Sequence, residues 1–161
     1  MGPEKQPAST AIHLVRHASA GSRGSGTADM ERELDEEGRA QALRLVDALA
    51  PSGPERLLTS PALRCRQTLE PLGSKLGIDI ETVPELAEGL RPGPVVAMIN
   101  RLVAAGSSAV VASHGDVIPA VLDILAATGV PMAGDKCQKG SIWHLRVDKG
   151  RIVEGRYLGR P

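Results

Sequence analysis

Three short stretches of this chain end in side chains suited to an anion. Leu14-Val15-Arg16-His17-Ala18 sets a guanidinium beside an imidazole at the end of an apolar run. Leu57-Leu58-Thr59-Ser60-Pro61-Ala62-Leu63-Arg64 brings a second cation, and Val110-Val111-Ala112-Ser113-His114-Gly115 a second imidazole. Each run reads as a strand. In a parallel α/β sheet the carboxyl ends of strands converge on one edge, where ligands bind. Two Arg and two His gathered there suit a phosphoryl group.

Attack at phosphorus needs a nucleophile, charge stabilisation on the equatorial oxygens and a proton for the leaving oxygen. An unprotonated His can serve as the nucleophile. Arg16 beside His17, with Arg64 arriving from the second run, disfavours the imidazolium of His17 and keeps a nitrogen lone pair available. The same guanidiniums offer paired N–H donors that fit phosphate oxygens better than a Lys point charge. His114 can donate a further hydrogen bond, and a helix beginning just after it presents backbone N–H groups, including that of Gly115. No metal or other cofactor is required, because two Arg and His114 supply the positive charge.

The elements that must position these groups follow from periodicity. Ala11 to Val15 reads as a short buried strand behind a loose polar tail, so residues 1–10 are expected to be flexible and 11–161 to form one domain. Ala20 to Thr27 is too rich in Gly and Ser to be regular and is expected to be a mobile rim, within which Arg23 can reach a substrate. Asp35 is placed to cap a helix running to Leu49, with Ala42, Leu45, Val46 and Leu49 on its inner face and Pro51 and Gly53 ending it. After a strand at Arg56 to Thr59, Ser60-Pro61 has the pattern of an N-cap and first helical residue. That helix carries Cys65, Leu69, Leu72 and Leu76 on one side and is expected to kink or restart at Pro71.

A third strand is expected at Ile78 to Val83 and a helix around Val95, Ile99, Leu102 and Val103. Ser108 to Ala112 has the small and β-branched composition of a central parallel strand. The helix after His114 buries Val117, Val121, Leu122 and Leu125, and Asp116 can cap it or orient a neighbour. Ile142 to Val147, the turn Asp148-Lys149-Gly150 and Ile152 to Leu158 form a hairpin. Alternating strands and helices imply an α/β fold, a three-layer α/β/α sandwich with a mostly parallel central sheet.

Composition narrows the function. The 161 residues carry 19 Lys plus Arg and 19 Asp plus Glu, so no global field argues for a DNA or RNA polymer. Trp143 and Tyr157 are the only aromatics, too few for base-stacking platforms. Cys65 and Cys137 match neither a zinc spacing nor a disulfide scaffold and read as reduced thiols. No apolar run approaches a membrane span, so the expectation is a cytoplasmic protein, a monomer or weak dimer. His13 and His144 read as strand residues that face solvent or are satisfied locally. Lys136, Lys139 and Ser141 precede a strand that can approach the pocket, with Lys139 a candidate substrate contact and a solvated charged loop the alternative. The Gly21 to Thr27 segment has neither the P-loop nor the dinucleotide pattern. Cys65 fails the tyrosine-phosphatase spacing, because position 71 is Pro.

In order and spacing, Arg16-His17-Ala18, Ser60-Pro61-Ala62-Leu63-Arg64-Cys65-Arg66-Gln67-Thr68 and Ser113-His114-Gly115 resemble the histidine phosphatase superfamily, the fold of cofactor-dependent phosphoglycerate mutases. Short length, Arg-His-Ala in place of Arg-His-Gly, and the Asp29-Met30-Glu31-Arg32-Glu33-Leu34 lead-in to Gly38 and Gln41-Ala42 resemble small SixA-type phosphohistidine phosphatases. Arg64 to Leu72 and Lys139-Gly140-Ser141-Ile142-Trp143 also resemble the histidine phosphatase domain attached to actinobacterial MutT-type Nudix hydrolases. No Nudix box occurs here, so that kinship makes this the second domain standing alone.

The resemblance implies roles: His17 forms a phosphohistidine, and Arg16, Arg64 and His114 bind the phosphoryl oxygens. Leu86-Ala87-Glu88 matches the segment that supplies the general acid in mutase-like members, with Glu85 as rival. SixA-type members often lack that carboxylate. An Asn that mutases carry shortly after the nucleophile is missing, and Ser19 or Ser22 is the expected substitute. The insertions that cap the mutase pocket are absent, which implies an open site. The expected function is a metal-independent phosphatase acting on a phosphorylated small molecule, a nucleotide or a phosphohistidine protein. The alternative is a phosphate- or nucleotide-binding regulatory module with little turnover.

Overall fold

The computed structural model describes residues 9–22 and 28–161. Strands β1 (Ala11–Arg16), β2 (Arg56–Thr59), β3 (Ile80–Thr82), β4 (Ala109–Ser113), β5 (Met132–Ala133), β6 (Ile142–Asp148) and β7 (Arg151–Gly159) form one sheet, in the order β3-β2-β4-β1-β6-β7-β5. β3, β2, β4 and β1 run parallel, with Leu57 opposite Val110 and Leu14 opposite Val111. β6 pairs antiparallel with β1 and β7 antiparallel with β6, while the two residues of β5 pair parallel with β7. The sheet is thus parallel around β4 and mixed beyond β1.

Helices cover both faces. Val110 and Ala112 of β4 and Val15 of β1 pack on α1 (Glu36–Leu49) and α2 (Leu63–Leu76) through Leu45, Leu49, Cys65, Leu69 and Leu72. Their neighbours Ala109, Val111, Ile12 and Leu14 face the other way, onto α3 (Gly93–Ala104) and α4 (Val117–Ala127) through Ile99, Leu102, Val121 and Leu125. The period-2 alternation of the strands therefore separates two aliphatic layers, giving an α/β/α sandwich. At roughly 2 kcal/mol for each buried Leu, Ile or Val, these layers hold the strand ends in register. All five residues of β4 are buried, as its composition requires. No described helix is long and apolar enough to cross a membrane.

The helix ends mostly follow local chemistry. Asp35 accepts from Gly38 N at 2.8 Å, and Glu36 and Glu37 sit in the first turn of α1, where the dipole favours them. The Asp148–Gly150 turn forms with Lys149 and Gly150 at positive φ. α2 differs from expectation. It begins at Leu63 rather than Pro61, and its cap position, Ala62, has no side-chain cap. It also runs unbroken through Pro71. β3 is shorter than its apolar run because it is an edge strand paired only with β2. β5 lies in a segment without periodicity and was not expected. Thr10 is tied down by its hydroxyl donating to Gly106 O at 3.2 Å, while residues 1–8 of the expected tail lie outside the described residues.

Candidate active site at the strand ends

Backbone bonds gather the three carboxyl ends. His17 N donates to Ser113 O at 2.9 Å, joining β1 to β4, and Ser60 N donates to Ala112 O at 3.0 Å, joining β2 to β4. The turn after β1 is fixed from α2 and from the lead-in to α1. Ala18 N donates to Thr68 Oγ1 at 2.9 Å, and Thr68 Oγ1 donates to Arg64 O at 2.7 Å. Ser19 N donates to Gln41 Oε1 at 2.9 Å, and Leu34 N to Gln67 Oε1 at 2.9 Å. Gly38 allows this approach: a Cβ there would fall 1.9 Å from Ser19 O.

His17 is 6 % exposed, with Nδ1 2.8 Å from the Ala18 carbonyl. A carbonyl only accepts, so Nδ1 carries the ring proton and Nε2 keeps its lone pair. Burial, the largest cause, pulls the pKa down to about 3 against the opposing Ala18 hydrogen bond, and Arg64, His114 and Arg16 add to the lowering. The guanidiniums named from sequence contribute, but desolvation leads.

His114 stands edge-on to His17 with ring centroids 5.4 Å apart. It is 1 % exposed, its Nε2 lies 2.8 Å from Ser60 Oγ, and burial followed by Arg64 lowers its pKa to about 4. Both imidazoles are therefore neutral at pH 7.

Arg16 directs Nη1 to Cys137 O at 2.7 Å, and its guanidinium packs against Gly115. Arg64 is fully buried. Its Nη1 donates to Asp29 O at 2.9 Å, and its Nη2 meets Asp29 Oδ2 at 3.2 Å, Glu88 Oε2 at 3.1 Å and His114 Nδ1 at 3.4 Å. Two carboxylates thus balance one buried cation, as a charge out of water requires. Glu88 is held in place by its neighbours. Ser113 Oγ donates to Leu86 O and Gly89 N donates to Asp116 Oδ2, each at 2.8 Å. Asp116 sits at the cap position of α4 without capping it; its carboxylate anchors the Glu88 loop instead.

Arg16, His17, Glu88, Gly115, Asp116 and Lys139 line one pocket of about 580 Å³; Arg64 and His114 do not line it but are buried against two residues that do, Arg64 on Glu88 and His114 on His17. Other expected contacts fall elsewhere. Ser19 does not line the pocket: its hydroxyl donates to Asp35 Oδ2 at 2.7 Å, while Ser22 does reach the pocket wall. Glu85 is exposed and outside it, and Arg23 lies outside the described residues. His13 does not face solvent. It is 7 % exposed and stacks on His144 with centroids 4.9 Å apart, because the two are register partners across β1 and β6.

Sequence reasoning missed Asp29 and Arg32. Arg32 lines the pocket, donates from Nη1 to Gly21 O at 2.7 Å and pairs with Asp29 Oδ1 at 3.2 Å, so one short turn braces both the rim and Arg64. The three-residue Asp-to-Arg spacing was the available signal. Among the described residues no cluster of three His, Cys, Asp or Glu is placed to hold a metal ion.

Comparison with known proteins agrees with this geometry. The family model described as histidine phosphatase superfamily (branch 1) matches residues 12–90, which include Arg16, His17, Arg64 and Glu88. An 8-oxo-(d)GTP phosphatase of Mycolicibacterium smegmatis is 33% identical over 165 residues, covering 98% of this chain and 51% of the relative; the chain spans about half the length of that protein. Among solved structures, the protein histidine phosphatase SixA complexed with tungstate is 25% identical with a TM-score of 0.73, covering 92% of this chain and 94% of its own. A SixA protein of Agrobacterium tumefaciens is 27% identical with a TM-score of 0.72, covering 91% and 96%. Residues 12–90, the units that carry Arg16, His17 and Arg64, thus match the histidine phosphatase superfamily, and nearly the whole chain shares the phosphoglycerate mutase-like fold of the SixA structures.

Proposed function

We propose that this chain is a metal-independent phosphatase that works through a covalent phosphohistidine on His17. One observation carries the reading: a buried neutral imidazole, its Nδ1 committed to the Ala18 carbonyl, lines a pocket beside Arg16, with His114 edge-on to its ring and Arg64 on the neighbouring Glu88. On this reading the phosphoryl oxygens lie among Arg16, Arg64 and His114. Nε2 of His17 forms a bond to phosphorus as the bond to the leaving oxygen breaks, and Glu88, which takes up a proton when the phosphoryl oxygens replace it on Arg64, gives that proton to the leaving oxygen. Water then attacks the phosphohistidine with Glu88 taking a proton, the phosphorus–nitrogen bond breaks, and inorganic phosphate leaves. Gly115 N–H and Lys139 are the remaining substrate contacts of this proposal.

The substrate is a phosphomonoester, a nucleotide or a phosphohistidine on a protein, and the place of action is the cytoplasm. Both cysteines being free thiols suits that compartment. The test is an alkaline-quenched reaction with a radiolabelled substrate panel of nucleotides, sugar phosphates and phosphohistidine peptide. Label on the protein in the wild type and none in His17→Asn is expected; equal turnover by the two sinks the reading. A second reading is a phosphate- or nucleotide-binding module, favoured by the likeness to an 8-oxo-(d)GTP phosphatase. Saturable phosphate binding without turnover of any panel member would select it.

A further inference from the structure

Ser60 has the sequence context of a helix cap, yet its buried hydroxyl lies behind the site imidazole. Its Oγ is 2.8 Å from His114 Nε2 and accepts from Ala62 N at 3.3 Å, and the Cys65 Sγ lies 3.6 Å from the same ring nitrogen and 3.8 Å from Ser113 O. On the opposite side of the ring, His114 Nδ1 is 3.4 Å from Nη2 of Arg64. We propose that Ser60 is a positioning residue that sets which nitrogen of His114 bears the proton, letting His114 accept from Arg64 in the empty site and donate to the phosphoryl group in the filled one. This rests on the phosphatase reading above.

The argument is one of donors and acceptors. A guanidinium only donates, so against Arg64 a lone pair on Nδ1 is favoured over an N–H, although Asp29 and Glu88 share the same Nη2, and the ring proton then sits on Nε2. Nε2–H then donates to Ser60 Oγ. A phosphoryl oxygen only accepts, so a useful His114 must carry its proton on Nδ1, which leaves a lone pair on Nε2 facing Ser60. A carboxylate or carbonyl at position 60 could serve the first state alone, and an ammonium the second alone. A hydroxyl serves both, because it can accept from Nε2–H or turn its own proton toward an Nε2 lone pair while still accepting from Ala62 N.

The exchange takes one proton at Nδ1 from water and returns one from Nε2 to water, so the ring stays neutral. Donation through an imidazolium is the other route, and burial opposes it. Cys65 beside the ring, fully buried with its pKa pushed up to about 12, stays a thiol and adds no charge to the exchange.

The test is long-range proton–nitrogen NMR on histidine-labelled wild-type protein, with and without saturating inorganic phosphate. His114 is expected in the Nε2–H form alone and in the Nδ1–H form with phosphate. Ser60→Ala should lose that exchange and bind phosphate about 10- to 100-fold more weakly, and Ser60→Thr, which keeps a hydroxyl, should recover most of both. A purely structural role would instead lower the melting temperature of Ser60→Ala and leave the exchange intact. A phosphate-induced change at His17 without tautomer exchange at His114, or wild-type phosphate binding by Ser60→Ala, overturns this inference alone. No phosphate-induced change at either imidazole overturns the phosphatase reading and the inference together.

Discussion

Arg16 and Gly115 are in such close contact that a Cβ added to the glycine would lie 2.7 Å from Arg16 Cζ and 2.8 Å from its Nε. The guanidinium owes its place as much to that missing methyl as to the Cys137 carbonyl that receives its Nη1. Gly115→Ala should therefore push Arg16 aside and lower kcat/KM about 100-fold, the scale of a 1 Å misplacement. Circular dichroism should be unchanged. Wild-type kcat/KM in Gly115→Ala would show that Arg16 is not required where it stands.

Glu88 has two jobs on the reading above, holding Arg64 and passing a proton, and substrate choice separates them. Glu88→Gln should lower kcat on an alkyl phosphate about 100- to 10,000-fold and far less on p-nitrophenyl phosphate, whose leaving group needs little protonation. Equal losses on both would reduce Glu88 to an anchor for the guanidinium. Arg64→Ala should cost on the order of 3 kcal/mol of transition-state stabilisation on either substrate, seen as a fall in kcat/KM.

Thr68 is the buried link between α2 and the turn after β1. Thr68→Val keeps the shape and leaves Ala18 N–H without its acceptor, which should cost about 1–3 kcal/mol and lower the melting temperature. Because Ala18 also supplies the carbonyl that holds His17 Nδ1, kcat should fall with it. Unchanged thermal unfolding and kcat in this variant would refute the link.

Acid should weaken the fold through its buried imidazoles. His13, lowered to about 4 by burial and then by His144, titrates well below the 6.5 of an unfolded chain, and His17 and His114 do likewise. Below pH 6.5 the unfolded chain takes up protons that the folded one refuses, so stability is greatest above 6.5 and falls as pH drops toward 4. Urea midpoints measured from pH 7.5 to 4.5 should show this slope, and His13→Asn, remote from the pocket, should flatten it. A slope identical in His13→Asn would remove His13 from the account.

Much of this was legible in the chain. The Ser108 to Ala112 run could only be a covered central strand, and placing Arg16, His17 and His114 at strand ends followed from where the apolar runs stop. What escaped was decided by partners far away in sequence. Ser60-Pro61 reads locally as a cap, but the Ser60 hydroxyl is taken by His114, 54 residues on. Asp29, which the sequence offers only as the start of the lead-in to Gly38, is drawn onto Arg64, 35 residues away. His13 sits in an apolar run where only the register with β6 reveals that it meets His144. Ser19, two residues after His17 in sequence, is turned away by Asp35.

Trp143, the sole tryptophan, donates its indole N–H to Lys136 O at 2.8 Å, one residue before the carbonyl that holds Arg16. The protein thereby carries its own optical reporter: any ligand that moves Arg16 tugs the segment to which the indole is tied, and the intrinsic emission can be titrated with no dye attached.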